Sequence, residues 1–216
     1  SYWELNNLEI INDGGPTLGF TAGSTNTAAS VTNRYGVYVL TKENGIRHHI
    51  YFRNLNIHNI FPETCTADSE GHGIWMRSSG KLKDTYYDDV LVESCQFSYL
   101  FKYGLLISRE QQRNPGFEYH KNLVIRGNTF THTGSSGFQT GWCDGILAEN
   151  NVIDDTGSSV DPRMFMQHGS GYWPWNSKNV VVQNNQFKNA HGDIDSCGMH
   201  VDYSCSDVIV QYNLSY

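Results

Sequence analysis

One degenerate pattern recurs along the chain and constrains the fold more than any other feature. The pattern is apolar-x-apolar-x-x-(Asn or small)-x-apolar, and its seven occurrences lie at 3–10, 50–57, 90–97, 123–130, 146–153, 180–187 and 208–215. Successive starts are 47, 40, 33, 23, 34 and 28 residues apart. Such self-similarity indicates a stack of coils, and the variable spacing indicates long loop insertions, which stricter repeat arrays lack.

The sixth position of the pattern is asparagine in the last four repeats, at Asn128, Asn151, Asn185 and Asn213. Stacked asparagine amides can hydrogen-bond along the axis of a solenoid, and asparagine tolerates the left-handed backbone of a sharp turn. We therefore predict a structural ladder of turn residues here and assign it no catalytic role.

A second short run, mostly opened by glycine, follows each of six repeats. These runs are predicted at 36–39, 73–77, 104–108, 137–141, 164–167 and 198–202. Side chains alternate along a strand, so the residue after the opening glycine points inward and the next points outward. The outward columns then read Tyr38, Trp75, Leu106, Gln139, Phe165, His200 and Leu40, Arg77, Ser108, Gly141, Gln167, Asp202. Because these residues are too varied for a plain solvent-facing surface, we predict that this face is the functional one.

Composition and charge narrow the class. The 216 residues are 38% hydrophobic with 21 glycines, which favours one all-β domain over residues 1–216 rather than a helical bundle. The net charge of −7 argues against a nucleic-acid surface. No run of 18 apolar residues is present, so no membrane span is expected. Both ends fall within apparent repeats, so we expect a fragment of a longer chain.

The five cysteines are odd in number and form no CxxC pair, which argues against a zinc site. Cys197 and Cys205 are near enough in sequence to bridge, but isolated thiols are favoured.

The coil pattern, the asparagine column and the segment Gly198–Tyr203 followed by 208–213 resemble right-handed parallel β-helix proteins of the pectate-lyase-like superfamily. The likeness extends over nearly the whole chain, and the last of these segments looks like the repeat region of β-helical carbohydrate-active enzymes, including β-helical glycoside hydrolases. The resemblance implies a right-handed parallel β-helix of about six to seven coils and a carbohydrate-active protein. It implies no specific activity, because this superfamily also contains lyases, esterases and phage tailspikes.

Carboxylates and histidines near the functional face are the candidate catalytic groups. Glycoside hydrolysis needs two carboxyls, about 5 Å apart for retention and about 6.5–9.5 Å for inversion, and neighbouring rungs are about 4.8 Å apart. A histidine beside them can act as a base or orient a carboxylate. The predicted catalytic residues are Asp202, Asp144, Asp195, His200 and His168.

Aromatic, basic and amide side chains near the same face are candidates for binding the sugar. Flat aromatic rings suit the C–H faces of pyranoses, and exposed rings indicate a binding surface. The predicted substrate-binding residues are Trp75, Arg77, Arg109, Gln139, Trp142, Gln167, Trp173, Trp175 and Tyr203.

The leading hypothesis is a secreted, extracellular or periplasmic, glycoside hydrolase that cleaves a polysaccharide or oligosaccharide without a cofactor. One alternative is a polysaccharide lyase, in which Arg77 or Arg109 is the base and Ca²⁺ neutralises a uronate. The calcium ligands would be Asp154, Asp155 and Asp161, or Asp193 and Asp195. The other is a non-catalytic polysaccharide-binding module. The sequence gives no oligomeric state.

Overall fold

The computed structural model describes residues 2–14, 33–110 and 116–216, and the regular elements of these ranges are all β-strands. The first nine strands are β1 (Trp3–Asn6), β2 (Glu9–Asp13), β3 (Arg34–Lys42), β4 (Arg47–Arg53), β5 (Asn56–Phe61), β6 (Gly71–Ser79), β7 (Tyr87–Glu93), β8 (Gln96–Leu100) and β9 (Leu105–Arg109). The others are β10 (His120–Arg126), β11 (Thr129–Thr133), β12 (Phe138–Gly141), β13 (Cys143–Glu149), β14 (Val152–Thr156), β15 (Tyr172–Trp175), β16 (Lys178–Gln183), β17 (Gln186–Ala190), β18 (Ser206–Gln211) and β19 (Leu214–Ser215).

The strands form three sheets in which all neighbours are parallel. Sheet 1 has the order β1-β4-β7-β10-β13-β16-β18, sheet 2 the order β19-β17-β14-β11-β8-β5-β2, and sheet 3 the order β15-β12-β9-β6-β3. The chain visits the sheets in turn, so each circuit is one coil. This arrangement confirms the predicted all-β parallel β-helix. The sequence predicts a loop insertion at 12–35, between the first repeat and the first glycine-opened run, and its residues 15–32 lie outside the described residues.

The register of sheet 1 confirms the repeat alignment. The seven residues that begin the sequence pattern are direct partners from coil to coil: Trp3, Ile50, Val90, Leu123, Ile146, Val180 and Val208. Each occurrence of the pattern therefore spans the end of a sheet 1 strand, a corner, and the start of a sheet 2 strand.

The asparagine ladder lies at this corner. Asn128, Asn151 and Asn185 are buried, and each donates from Nδ2 to Oδ1 of the next asparagine at 2.9–3.0 Å, ending at Asn213. The expected left-handed residue is, however, one position earlier. The residue before the ladder position has a φ between 51° and 64° in all seven coils: Asn7, Asn54, Ser94, Gly127, Asn150, Asn184 and Tyr212. The asparagines thus serve through their side chains while the preceding residue makes the turn.

Glycines open the runs of sheet 3 because the coils approach closely there. A Cβ on Gly104 would lie 2.4 Å from Cδ1 of Phe130 and 2.5 Å from the carbonyl oxygen of Gly137. The same column continues through Gly171, so the fifth run is β15, opened by that glycine, and the predicted run at 164–167 is wrong. The sequence of β15 contains Pro174, and a strand with an internal proline is easily mistaken for a loop. Proline is tolerated because β15 is the last full strand of sheet 3.

The stretch 198–202 adds a sixth rung next to β15. Met199 bridges to Tyr172, and the backbone N–H groups of His200 and Asp202 donate to the carbonyls of Tyr172 and Pro174 at 3.3 and 3.2 Å. Met199 packs on the core as predicted, whereas Val201 is 48% exposed on this last rung. His200 and Asp202 therefore continue the outward columns of sheet 3.

The interior is a stack of apolar side chains, one set per coil. Consecutive rings are in contact, with centroid distances of 4.6 Å for Phe97 and Phe130, 5.2 Å for Phe130 and Phe138, and 4.2 Å for Phe138 and Tyr172. All five cysteines are free thiols. The described ranges contain no helix with the length and hydrophobicity of a membrane span.

Candidate functional site

The outer face of sheet 3 carries one continuous column of binding-type side chains. In register, the column reads Trp75, Leu106, Gln139 and Trp173. His200 extends it, since its imidazole stacks on the Trp173 indole at 5.7 Å with an interplanar angle of 11°. Trp173 occupies the place that the sequence prediction gave to Phe165.

The neighbouring outward column contains Arg77, Ser108, Gly141 and Trp175, and Asp202 follows on the last rung. Ser108 is buried and accepts a 2.9 Å hydrogen bond from the Trp75 indole, which fixes that ring. The Arg77 guanidinium lies over the same ring at 5.3 Å and pairs with Glu110 at 2.9 Å. Trp175 is half-buried and its indole packs beside Gly141, with Cε3 lying 3.5 Å from where a Cβ on Gly141 would be.

A cavity of about 370 Å³ lies on this face. Its lining combines aromatic and aliphatic surface with carboxylate, amine, hydroxyl, amide and imidazole groups: Glu70, Trp75, Lys102, Tyr103, Leu106, Ser108, Gln139, Phe165 and His168. Mixed linings of this kind, with a few convergent polar groups, are typical of small-molecule sites.

One wall of the cavity comes from residues 157–170, which we call the strap. The strap turns back over earlier coils, and its Phe165 donates from its backbone N–H to the carbonyl of Phe101 at 3.1 Å. Phe165 and Phe101 belong to a second apolar cluster that also contains Phe61. Arg163 anchors the strap, pairing with Asp13 at 2.8 Å while its guanidinium lies 3.8 Å from the centre of the Phe61 ring.

The strap also brings His168 to Asp195. A Cβ on Gly169 would lie 1.5 Å from the carbonyl oxygen of His191, so only glycine permits this approach of the strap to the 191–198 turn. His168 Nδ1 consequently lies 2.8 Å from Asp195 Oδ2. The His168 carbonyl accepts hydrogen bonds from the Ser135 and Ser136 hydroxyls at 3.3 and 2.5 Å.

The second predicted acid, Asp202, lies beside His200 on the last rung. His200 Nε2 is 4.0 Å from Asp202 Oδ2, and His200 Nδ1 is 3.2 Å from the Ser170 hydroxyl. The backbone N–H of Tyr203 donates to Asp202 Oδ1 at 2.6 Å, while the Tyr203 residue itself is 72% exposed. The structure therefore brings four of the five predicted catalytic residues to one end of the functional face: Asp195, Asp202, His168 and His200.

At the other end of the cavity lies a charged cluster that the sequence analysis did not identify. Glu70 Oε2 is 2.8 Å from Nε2 of the fully buried His72 and 3.3 Å from Nζ of the buried Lys102. Burial favours a raised pKa for Glu70, but the contacts with His72 and Lys102 outweigh it and lower the pKa. Burial lowers the pKa of His72 and of Lys102, against the opposing effect of Glu70.

Tyr103 lies between the two groups of acids. Burial raises the pKa of Tyr103 to about 12, and the carboxylates of Glu70 and Asp195 both add to the rise. A signal for this cluster exists in the sequence. When the glycine alignment is extended three residues upstream, Glu70, His168 and Asp195 occupy one column.

Three predicted site residues do not lie on the functional face. Asp144 is on β13 in sheet 1, where it binds Asn179 at 2.7 Å and Lys178 at 3.3 Å, so it is not on the sheet that carries Asp202. Arg109 is 2% exposed rather than at the rim, and donates to the Thr85 carbonyl at 2.6 Å.

Trp142, expected to be exposed, is 6% exposed at the corner between β12 and β13 and packs on Tyr119 with a centroid distance of 5.4 Å. Strand alternation did not predict these positions because they lie at corners and strand ends. Gln167 is half-buried on the strap.

Three of the acids suggested for calcium, between 154 and 161, already have protein partners. Asp154 accepts from Asn189 at 2.8 Å, Asp155 from the Ser158 hydroxyl at 2.7 Å, and Asp161 pairs with Arg163 at 2.8 Å. Across ranges 2–14, 33–110 and 116–216, no three His, Cys, Asp or Glu side chains are grouped as a metal site requires.

Comparison with known proteins gives matches to one fold. The model of the family described as a right-handed β-helix region matches residues 3–215. A lacto-N-biosidase of Bifidobacterium longum subsp. longum is 30% identical over 106 residues, which cover 44% of this chain and 7% of that protein.

Two crystal structures of the GH136 lacto-N-biosidase from Eubacterium ramulus also match. The native form has a TM-score of 0.72 and 23% identity, and the selenomethionine form has a TM-score of 0.68 and 22% identity. Each alignment covers 98% of this chain and 37% of that chain. This chain therefore spans well under half of the proteins that it matches, and the structural likeness is one of fold.

Proposed function

This chain belongs to the family of right-handed β-helix regions, and from that premise we propose that its sheet 3 carries the active-site face of a glycoside hydrolase. The observation that supports this most is the position of two carboxylates at the end of an aromatic column. Asp195 is in contact with His168, and Asp202 is next to His200, whose ring stacks on Trp173.

Hydrolysis of a glycosidic bond requires two carboxyls on opposite sides of the reacting centre. One, protonated, donates its proton to the leaving oxygen, while the other, ionised, attacks the anomeric carbon or activates a water. Asp195 and Asp202 take these two roles in our proposal. His168 orients Asp195, and the Trp173 and Trp175 rings offer flat surfaces to the C–H faces of the sugars.

The substrate in this proposal is an oligosaccharide that ends in lacto-N-biose. Its support is the likeness to proteins named lacto-N-biosidase. The cavity fits a sugar in chemistry, since hydroxyl, amide and carboxylate groups lie among apolar rings. A substrate of this class implies an extracellular or periplasmic enzyme, and the hydrolytic step in this proposal uses no cofactor.

The test is release of p-nitrophenol from the p-nitrophenyl β-glycoside of lacto-N-biose, with calorimetric binding of lacto-N-biose as a second readout. We expect Asp202→Asn and Asp195→Asn each to lower kcat by about 10²–10⁴-fold, the range for loss of a general acid or base. Asp193→Asn is the matched control, because Asp193 is an exposed acid in the same turn, and it should change kcat less than two-fold.

Full turnover by Asp202→Asn would refute the proposal. Binding of lacto-N-biose without turnover would indicate a non-catalytic sugar-binding module instead. Incubation of a uronate polymer that gave new absorbance near 235 nm would indicate a lyase. The structure offers less to that lyase, because Arg109 is buried and Arg77 is paired with Glu110.

A further inference from the structure

We propose that Glu70 is the specificity-determining residue of the cavity, where its carboxylate accepts hydrogen bonds from the hydroxyls of the bound sugar, and that Lys102 and His72 are the positioning residues that hold it. The inference rests on the proposed function and deepens it, because it names the group that selects the sugar at the end of the cavity away from Asp202.

The first support is the way Glu70 is held. Both contacts of the Glu70 carboxylate in the described residues use Oε2, at 2.8 Å to His72 and 3.3 Å to Lys102. This geometry leaves Oε1 to accept from a ligand in the cavity that Glu70 lines. Hydrogen bonds from hydroxyls to an ionised carboxylate are short and about twice as strong as neutral ones.

The second support is that the two partners of Glu70 are themselves fixed. His72 is 0% exposed, and its Nδ1 lies 3.4 Å from the Tyr103 backbone N–H, which leaves Nε2 directed at Glu70. The Lys102 ammonium contacts Glu70, the Ala67 carbonyl at 3.3 Å and the face of the Phe165 ring at 4.5 Å. These contacts account for its three N–H directions, so Lys102 holds Glu70 rather than the sugar.

The third support is the surface opposite Glu70. Trp75 and Leu106 give a flat apolar floor on sheet 3, and Phe165 gives a wall on the strap. The Trp75 ring is held by Ser108 and cannot rotate freely. A pyranose placed on this floor has its C–H face on the rings and its hydroxyls at the edge, where Glu70 lies, while Gln139 continues the floor beside Leu106. The cavity volume of about 370 Å³ falls in the range of small-ligand sites.

A purely structural role is the competing explanation, since Glu70 also pairs with two buried bases, His72 and Lys102. The two explanations predict different kinetics. Substitution of a residue that contacts the sugar in both ground and transition states raises KM. Substitution of a residue that only stabilises the fold lowers the melting temperature.

The experiment compares Glu70→Gln with Glu118→Gln, an exposed glutamate that pairs with Lys121 at 3.0 Å. On the p-nitrophenyl β-glycoside of lacto-N-biose, Glu70→Gln should raise KM at least 10-fold with kcat changed less than three-fold. A 10-fold change is the low end expected for a hydrogen bond to a charged group. Lys102→Met should raise KM, but by less than Glu70→Gln does. Lys102→Arg should keep KM near the wild-type value. Glu118→Gln should behave as wild type.

Binding of lacto-N-biose to the Asp202→Asn variant separates the two proposals. Weaker binding when Glu70→Gln is added to Asp202→Asn supports the role of Glu70. Unchanged binding, or a lower melting temperature with an unchanged KM, overturns this inference and leaves the proposed function standing. A wild-type chain that neither binds nor cleaves the sugar overturns both.

Discussion

The asparagine ladder allows a quantitative prediction for Asn151→Ala. The Asn151 side chain is 0% exposed and makes four hydrogen bonds. Its Nδ2 donates to the Ile125 carbonyl and to Asn185 Oδ1, both at 2.9 Å, and its Oδ1 accepts from N and Nδ2 of Asn128, both at 3.0 Å. The substitution removes all four.

The four losses differ in size. The backbone N–H of Asn128 loses its acceptor inside the protein, which costs about 1–3 kcal/mol. Two of the other three groups keep a second partner, since Asn128 Nδ2 still donates to Val92 and Asn185 Oδ1 still accepts from the Asn151 backbone. Loss of each of the three other bonds costs about 0.5–1 kcal/mol. We therefore expect Asn151→Ala to lower the free energy of unfolding by about 2.5–6 kcal/mol.

Guanidinium chloride unfolding, followed by circular dichroism, measures this loss as a lower midpoint. The control is Asn6→Ala, because Asn6 is exposed and its side chain accepts a long 3.3 Å bond from Asn54. Its expected effect is below about 0.5 kcal/mol. If Asn151→Ala came within about 1 kcal/mol of this control, the ladder would not be the stabilising element that its burial and hydrogen bonds indicate.

Further predictions concern the coil interior, pH and the strap. Gly104→Ala should lower the melting temperature, because its Cβ would lie 2.4 Å from Phe130; an unchanged value would contradict the close packing. Burial, aided by Arg109, lowers the pKa of His120 to about 3. The stability contributed by neutral His120 is fully present above about pH 6.5 and is lost as the pH falls towards 3. The loss relative to high pH is about 2 kcal/mol at pH 5. In His120→Gln, the free energy of unfolding should change less between pH 8 and pH 5 than in the wild type. An equal change would show that groups other than His120 cause the pH dependence. Arg163→Met should speed proteolytic cleavage within 157–170, because it removes the pair with Asp13, and an unchanged rate would show that the apolar contacts hold the strap alone.

The coil repeat was predictable because its physical cause is local. Residues such as Ile50, Val90 and Leu123 recur at the same point of each circuit, so a sequence alignment is also a structural register. The glycine column was equally visible, since close approach of successive coils excludes a Cβ. The error at β15 arose where Pro174 and three aromatic residues resemble a loop, although Gly171 fits the column.

The site was predictable only in part. Alternation placed His200 and Asp202 outward, because both lie within a regular rung. The same rule failed for Arg109, whose surroundings are set by the end of a strand. Glu70 and Lys102 lie in turns, where no period applies, and their meeting depends on how two coils stack.

The anchor of the strap has a consequence for folding cooperativity. In a solenoid, each coil contacts only its neighbours, and unfolding spreads one repeat at a time from a free end. Arg163 and Asp13 are 150 residues apart in sequence, and their contact joins a segment of the fifth coil, between β14 and β15, to the first coil. A bond of this kind forms only after a long loop closes, so it is late in folding and slow. Once formed, it couples the coils between its two ends, which should open as one unit while the rungs after the strap exchange their amide protons independently.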